Sequence, residues 1–276
     1  MRLGAVFALS VLIGAVVCIA KGAFATLQWL WLLPVTFLGS FLGFALIIFL
    51  GLLVMCKLVD QDKPQEDDDK FYRFVATHVI AAALPLLQIH TKKFGMEKVP
   101  KEGRFLLICN HTDDSDPIIL LNCFPKSQLA FIAKREARST FIVGPMMHKL
   151  QCQLINREND REALKTILRC IQILKEDKAS IGVFPEGRID DDKLLHHFRP
   201  GVFKIAQKAG VPIVVCTLKN AQNVVHDLLR LKPSYVELHV LEVIPAEKVK
   251  AMNTVDIAAY CHDLMAESLG AACVGD

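Results

Sequence analysis

The sequence predicts a layered α/β domain preceded by an N-terminal hairpin of two apolar, membrane-embedded helices. Three observations carry this. Residues 3–20 and 22–56 contain no charged side chain. Residues 60–70, DQDKPQEDDDK, then form a charged, proline-containing break. Beyond residue 104, short apolar runs alternate with longer segments of helical spacing, the pattern of strands and helices packed in layers.

The chain has 276 residues, of which 53% are hydrophobic, and its mean hydropathy of +0.36 is high for a wholly soluble domain. About 20 apolar residues span a bilayer core, so the two uncharged runs hold helices near 3–20 and 35–56. Gln28, Trp29, Trp31 and Pro34 suit an interfacial turn between them, because Trp favours the headgroup level. A signal peptide is the rival reading of the first run, with Arg2 as its basic start. The second run follows almost at once, which favours the hairpin. The domain reading is an anchor over 1–59, a linker over 60–70 and one domain over 71–276. Within that domain lie an amphipathic helix at 71–89, a core at 94–244 and a C-terminal helix at 245–270.

In the core, buried strands are expected at 105–109, 128–133, 153–155, 180–184, 213–218 and 235–244. Helices are expected at 117–123, 136–150, 160–177, 202–209 and 247–268. Net charge is +3, and no basic block points to nucleic acid. The nine cysteines include no C-x-x-C, which fits reduced thiols rather than a disulfide framework. No G-x-G-x-x-G or P-loop supports a nucleotide fold.

Two constellations carry chemistry. Residues 106–117 read LLICNHTDDSDP. A strand ends, a polar loop follows, and Asp116-Pro117 opens a helix with Asp as N-cap. On one continuous helix His111 and Asp116 would point about 140° apart, but across a loop-to-helix turn they can meet. An imidazole can take a proton from a hydroxyl at neutral pH, and a carboxylate on its other nitrogen fixes the tautomer. The bland reading makes Asp116 a cap and His111 a loop residue. Asp113 and Asp114 leave a carboxylate-rich metal site as a further reading. In the second constellation, residues 180–188 read SIGVFPEGR, a strand that runs into a turn. Glu186, Gly187 and Arg188 stand at the strand end, a usual ligand position in α/β sheets, and Arg suits phosphate. An ordinary turn with a salt bridge is the alternative. His196-His197 reads as a pair of loop histidines rather than a metal site.

Together these motifs resemble the glycerolipid acyltransferase family, the 1-acyl-glycerol-3-phosphate and similar lysophospholipid acyltransferases. The similarity covers residues 94–218. The family's N-H-x4-D block is Asn110-His111-Thr112-Asp113-Asp114-Ser115-Asp116, and its Phe-Pro-Glu-Gly block is Phe184-Pro185-Glu186-Gly187. Residues 95–100, 131–134, 155–157 and 211–213 resemble four further blocks. The resemblance implies His111 as base with Asp116 as its partner. It also implies Arg157, Glu186 and Gly187 as binding residues, with Val211 and Pro212 shaping a pocket. Lys134, at a strand end, reads equally as a ligand for phosphates or lipid headgroups and as part of a solvated helix face. The implied reaction moves a fatty acyl group from acyl-CoA or acyl carrier protein to lysophosphatidate, giving phosphatidate, with no cofactor and no metal. The implied setting is the inner cell membrane, among membrane lipids, with the domain on the cytoplasmic side, where Arg2 and Lys57 outweigh Lys21.

The sequence departs from the family at two places. Arg188 follows Gly187 directly and Ile189 stands where the family has its arginine. Either Arg188 reaches a phosphate from a shifted position, or phosphate binding is altered. Asn156 replaces the usual Asp of the second motif. Arg199, before Pro200-Gly201, reads equally as a phosphate ligand or a solvated charge. Three other functions stay open: acylation of glycerol 3-phosphate or another lysophospholipid, a metal-dependent phosphohydrolase, and a non-catalytic lipid-binding protein.

Overall fold

The computed structural model describes residues 3–156 and 158–275; Arg157, one of the expected binding residues, lies outside them. The chain divides into two compact units, Met1–Asp62 and Lys63–Asp276.

The first unit holds α1 (Leu3–Ala20) and α2 (Trp29–Lys57), joined through a single 3-10 turn at Ala23–Ala25. Gly22 starts that turn at φ +62, a left-handed conformation that glycine adopts without a Cβ penalty. The helices pack closely where Gly14 faces Leu33 and Thr36: a Cβ there would lie 3.1 Å from both side chains. Phe7 meets Phe37 edge-on at 5.1 Å. The second helix starts earlier than expected, so Trp29, Trp31 and Pro34 are helical rather than part of a turn. Pro34 lies inside α2, in its second turn, where it removes one intrahelical hydrogen bond. By length and composition, α2 is long and apolar enough to cross a membrane, whereas α1 is a shorter apolar helix.

The second unit is built on a seven-stranded mixed sheet. Its strands are β1 (Ile89–Phe94), β2 (Leu106–Ile108), β3 (Leu129–Lys134), β4 (Gln153–Ile155), β5 (Ser180–Val183), β6 (Ile213–Lys219) and β7 (Ser234–Ile244). Their spatial order is β1-β7-β6-β2-β5-β3-β4. The five strands from β6 to β4 run parallel, β7 is antiparallel to β6, and β1 is parallel to β7. Strands buried on both faces read as continuous apolar runs, which is why the parallel strands were legible.

Alternate residues of these strands feed two cores. Leu106, Ile108, Ile181, Val183, Ile213 and Val215 face one layer. That layer is formed with α6 (Asp160–Lys175), α7 (Lys204–Ala209), α9 (Ala246–Ala251) and α10 (Thr254–Leu269). Phe105, Leu107, Phe131, Val214 and Cys216 face the other. There they meet α3 (Lys70–Leu86), α4 (Asp116–Cys123) and α8 (Val224–Leu229). The short α5 (Val143–Lys149) packs near α3. The C-terminal ends of β2, β3, β4, β5 and β6 share one edge of the sheet, and the loops after them carry the site.

Several elements differ from expectation. The apolar segment after the linker is helical only to Leu86, and Ile89–Phe94 is a strand. This strand, IHTKKF, buries only Ile89, because it is the sheet's edge and pairs with β7 alone. The expected helix at 136–150 is broken into a 3-10 segment, Arg135–Ser139, and α5. Gly144 packs onto the Arg138 carbonyl there, too close for any Cβ. The expected C-terminal helix is split at Asn253, whose side chain accepts from the Asp256 N–H at 2.8 Å and so caps α10. Short α8 had no apolar periodicity long enough to announce it.

Within the charged stretch, residues 65–69 are stitched to this unit. Gln65 O accepts from Gln151 Nε2 at 2.8 Å, and Asp69 caps α3 through the N–H groups of Phe71 and Tyr72. Arg73 lies between Asp68, at 2.6 Å, and the carbonyls of Leu129 and Leu150. The Asp68 side chain is only 4% exposed. Removing one partner of such a pair strands the other charge without water. We expect Arg73→Ala to cost about 3 kcal/mol of stability in a denaturant titration. Asp68→Ala combined with it should cost clearly less than the two single changes summed.

Candidate active site

The loop after β2 is shaped by its own polar side chains. Asn110 is buried. Its Nδ2 donates to Leu218 O at 3.0 Å, and its Oδ1 accepts from Leu218 N–H at 2.8 Å. The side chain thus continues the β2–β6 ladder past the strand end and fixes the departure point of His111. Asp116 is wholly buried. Its Oδ2 accepts from His111 Nδ1 at 3.0 Å, Thr112 N–H at 2.8 Å and Asp113 N–H at 2.9 Å. Asp116 begins α4 with Ser115 as N-cap, so its carboxylate folds back onto the loop instead of capping the helix as expected. Burial pushes the Asp116 carboxyl above its usual value, and the hydrogen bonds from His111 and the loop amides pull it back.

The imidazole is held on a second side by stacking. The His111 and Phe184 ring centroids lie 4.0 Å apart at 16°, and Phe184 stacks in turn on Phe131 at 5.8 Å and 11°. Phe131 rests on Gly182 of β5, where a Cβ would collide with its ring. With Nδ1 committed to Asp116, Nε2 of His111 has no partner among the described residues. The side chain is 16% exposed. A neutral imidazole so held presents one acceptor nitrogen of fixed direction.

Glu186 turns inward. Its Oε1 accepts from the His111 N–H at 2.9 Å and its Oε2 from the His196 N–H at 3.3 Å. It therefore ties the His111 loop to the loop after β5, and both oxygens are engaged with backbone. Burial pushes its carboxyl up to about 7, against the pull of those two N–H donors. Gly187 follows at φ +84, bending the chain back so that its N–H reaches Phe184 O at 3.0 Å.

The other expected residues divide. Lys134 ends β3 at the same sheet edge and is exposed. Arg188 is 68% exposed and paired with Asp190 at 2.7 Å. Asn156 donates to Glu162 Oε2 at 2.9 Å. Val211 and Pro212 are not brought to the site. Pro212 O accepts from Leu106 N–H at the start of β2, and Ile213 pairs with Leu106. From there to Leu218, beside the site, is about 20 Å of extended chain. The two residues lie at the opposite end of the parallel strands, a point that motif order along the chain does not reveal. Asp113 accepts from Ser115 N–H and Val225 N–H, and Asp114 is exposed. His196 pairs with Asp192 at 2.9 Å, while His197 is exposed and lies near His262. Among the described residues no group of three or more His, Cys, Asp or Glu side chains is placed to share a metal ion. Gly182 and the Asn110 bridge were missed from sequence. A lone glycine in a buried strand signals close approach and would have found the first.

A histidine backed by a buried carboxylate, at the carboxyl edge of a mixed sheet, can take a proton from a hydroxyl. That class is matched by sequence: residues 90–219 match the family model Acyltransferase. It is 30% identical over 172 residues to a probable 1-acyl-sn-glycerol-3-phosphate acyltransferase of Mycoplasma pneumoniae, covering 61% of this chain and 62% of that protein. The match thus spans about three fifths of that relative's length. It is 27% identical to the 1-acyl-sn-glycerol-3-phosphate acyltransferase of Haemophilus influenzae, covering 62% of this chain and 74% of the relative. The fold is similar to the crystal structure of the 1-acyl-sn-glycerophosphate acyltransferase PlsC from Thermotoga maritima. The TM-score is 0.62 at 22% identity, over 83% of this chain and 90% of the other.

Two consequences can be measured. Gly182→Ala should drive Phe131 into Phe184 and so displace His111. We expect a loss of about 1–3 kcal/mol in stability and a fall in turnover larger than the unfolded fraction explains. The raised Glu186 carboxyl binds its proton more tightly folded than unfolded, so its contribution to stability is complete below about 4.5 and is lost as pH rises through about 7. The melting temperature of wild type relative to Glu186→Gln should therefore fall between pH 5 and pH 8. A constant difference would contradict the assignment.

Proposed function

We propose that this protein transfers a fatty acyl group from an acyl thioester, acyl-CoA or acyl carrier protein, to the free hydroxyl of 1-acylglycerol 3-phosphate. The product is phosphatidate. The observation that carries the reading is the hydrogen bond from His111 Nδ1 to buried Asp116, which leaves Nε2 as the acceptor. The names of the relatives support the acceptor.

The acceptor hydroxyl gives its proton to Nε2 of His111 as its oxygen attacks the thioester carbonyl carbon. The new C–O bond converts the carbonyl to a tetrahedral oxyanion. Collapse of that oxyanion breaks the C–S bond, and the imidazolium returns the proton to the departing sulfur. Atoms and charge balance, and no protein nucleophile is consumed. Asp116 holds the productive tautomer and stabilises the imidazolium. Phe184 fixes the ring plane, and Glu186 acts as a positioning residue through the His111 backbone. Acceleration then comes from orientation and from placing the base at a fixed point.

The apolar hairpin anchors the enzyme in the cell's inner membrane, with the α/β unit on the cytoplasmic side among membrane lipids. This placement suits a substrate and a product that both live in the bilayer. Keeping the chains there avoids an exposure cost of about 0.8 kcal/mol per CH₂.

Purified protein given lysophosphatidate and acyl-CoA or acyl carrier protein donors should release thiol and form phosphatidate. His111→Ala should abolish it, and Asp116→Asn should lower turnover by about 10³-fold or more while the melting temperature changes little. Product formation that survives His111→Ala would overturn the mechanism.

A further inference from the structure

The acceptor proposed above carries a phosphate, and the expected cation at the Glu-Gly turn, Arg188, faces solvent in a pair with Asp190. A different arginine occupies the turn. The guanidinium stem of Arg199 crosses Gly187: Nε would lie 2.9 Å, Cδ 3.1 Å and Cζ 3.6 Å from a Cβ at that position. Gly187 is therefore constrained twice, by its φ of +84 and by the arginine lying against it. The backbone of Arg199 is fixed, since its N–H donates to Pro185 O at 2.9 Å. The flanking Phe198 is buried in the core, and Pro200 begins a 3-10 turn. Its guanidinium has no hydrogen-bond or ion-pair partner among the described residues, and the residue is exposed. A rigidly based, unpaired arginine lying against Gly187, the neighbour of the Glu186 that bonds His111, is a ready ligand for an anion near the base.

We propose that Arg199, rather than Arg188, binds the phosphate of the acceptor and sets the distance from that phosphate to His111. Arg199 thus takes the task left open by Ile189. This rests on the acyltransferase reading, and it adds which residue makes the enzyme specific for a phosphate-bearing acceptor. The contact is the same in ground and transition states, so its loss appears mainly in KM.

The test uses the full-length protein in detergent, with Arg199→Ala, Arg199→Lys and Arg188→Ala, and two readouts. With lysophosphatidate, Arg199→Ala should raise KM by about tenfold or more. Its kcat should stay within about threefold, and Arg199→Lys should recover part of the loss. Arg188→Ala should stay within about twofold of wild type in KM, as expected of an exposed pair. Calorimetric titration with glycerol 3-phosphate needs no turnover, so it separates the arginine from the reaction: wild type and Arg188→Ala should bind, Arg199→Ala weakly or not at all. An unchanged KM in Arg199→Ala, a loss confined to kcat, or a KM loss carried by Arg188→Ala would overturn the proposal. Absence of phosphatidate from wild type would bring down the acyltransferase reading instead. The titration then decides alone, and equal binding by wild type and Arg199→Ala, or no binding by wild type, would remove Arg199 as the anion ligand.

Discussion

Asp116 Oδ2 takes hydrogens from an imidazole and from two consecutive backbone amides, and the loop after β2 has its shape because of this. A carboxylate with no exposure is costly to bury unless donors surround its charge. Here the donors come from the residues just upstream, so the cost of burial is offset by winding the loop around the oxygen. His111 is then one of three groups held at a common centre. The placement of His111 and the solvation of a buried charge are the same set of bonds.

Around that centre, the remaining contacts act as braces at successive distances. Asn110 joins the loop to the last turn of the β6 ladder, and Glu186 joins it to the segment after β5. Each brace spans strands that are neighbours in the sheet but over seventy residues apart in the chain. The parallel topology makes this possible: because β6, β2 and β5 run the same way, their loops emerge at one edge. A carboxyl pushed up to about 7 is the consequence of burying a carboxylate to serve as one brace.

The legible part of this architecture was whatever the chain encodes locally. The apolar strands and the amphipathic helix over 160–175 follow from spacing within a dozen residues, and that spacing allows His111 and Asp116 to meet, as they do. What was illegible depends on partners far along the chain. Edge strand β1 reads as polar because only Ile89 of its six residues is buried. The break near Gly144 comes from a carbonyl approach that periodicity does not carry. Glu186 looked like a residue for ligands because its actual donors, the amides of His111 and His196, are invisible in sequence. Val211 and Pro212 sit in a motif that follows in the right order but at the wrong end of a strand. Arg199 reads two ways in sequence, and its place over Gly187 is visible only in the fold.

The column that runs from Gly182 through Phe131 and Phe184 to His111 crosses from sheet interior to site without a soft layer between. Interiors packed at crystal density transmit displacement rather than absorb it. Drift in this protein's lineage should therefore be correlated along the column. A smaller side chain at 131 makes room for a Cβ at 182, and a larger one forbids it, so the two positions are free to vary only together. The usual division between core rings and site-facing rings does not apply along this line, since Phe131 and Phe184 are both buried in the core and Phe184 is the face on which His111 stacks.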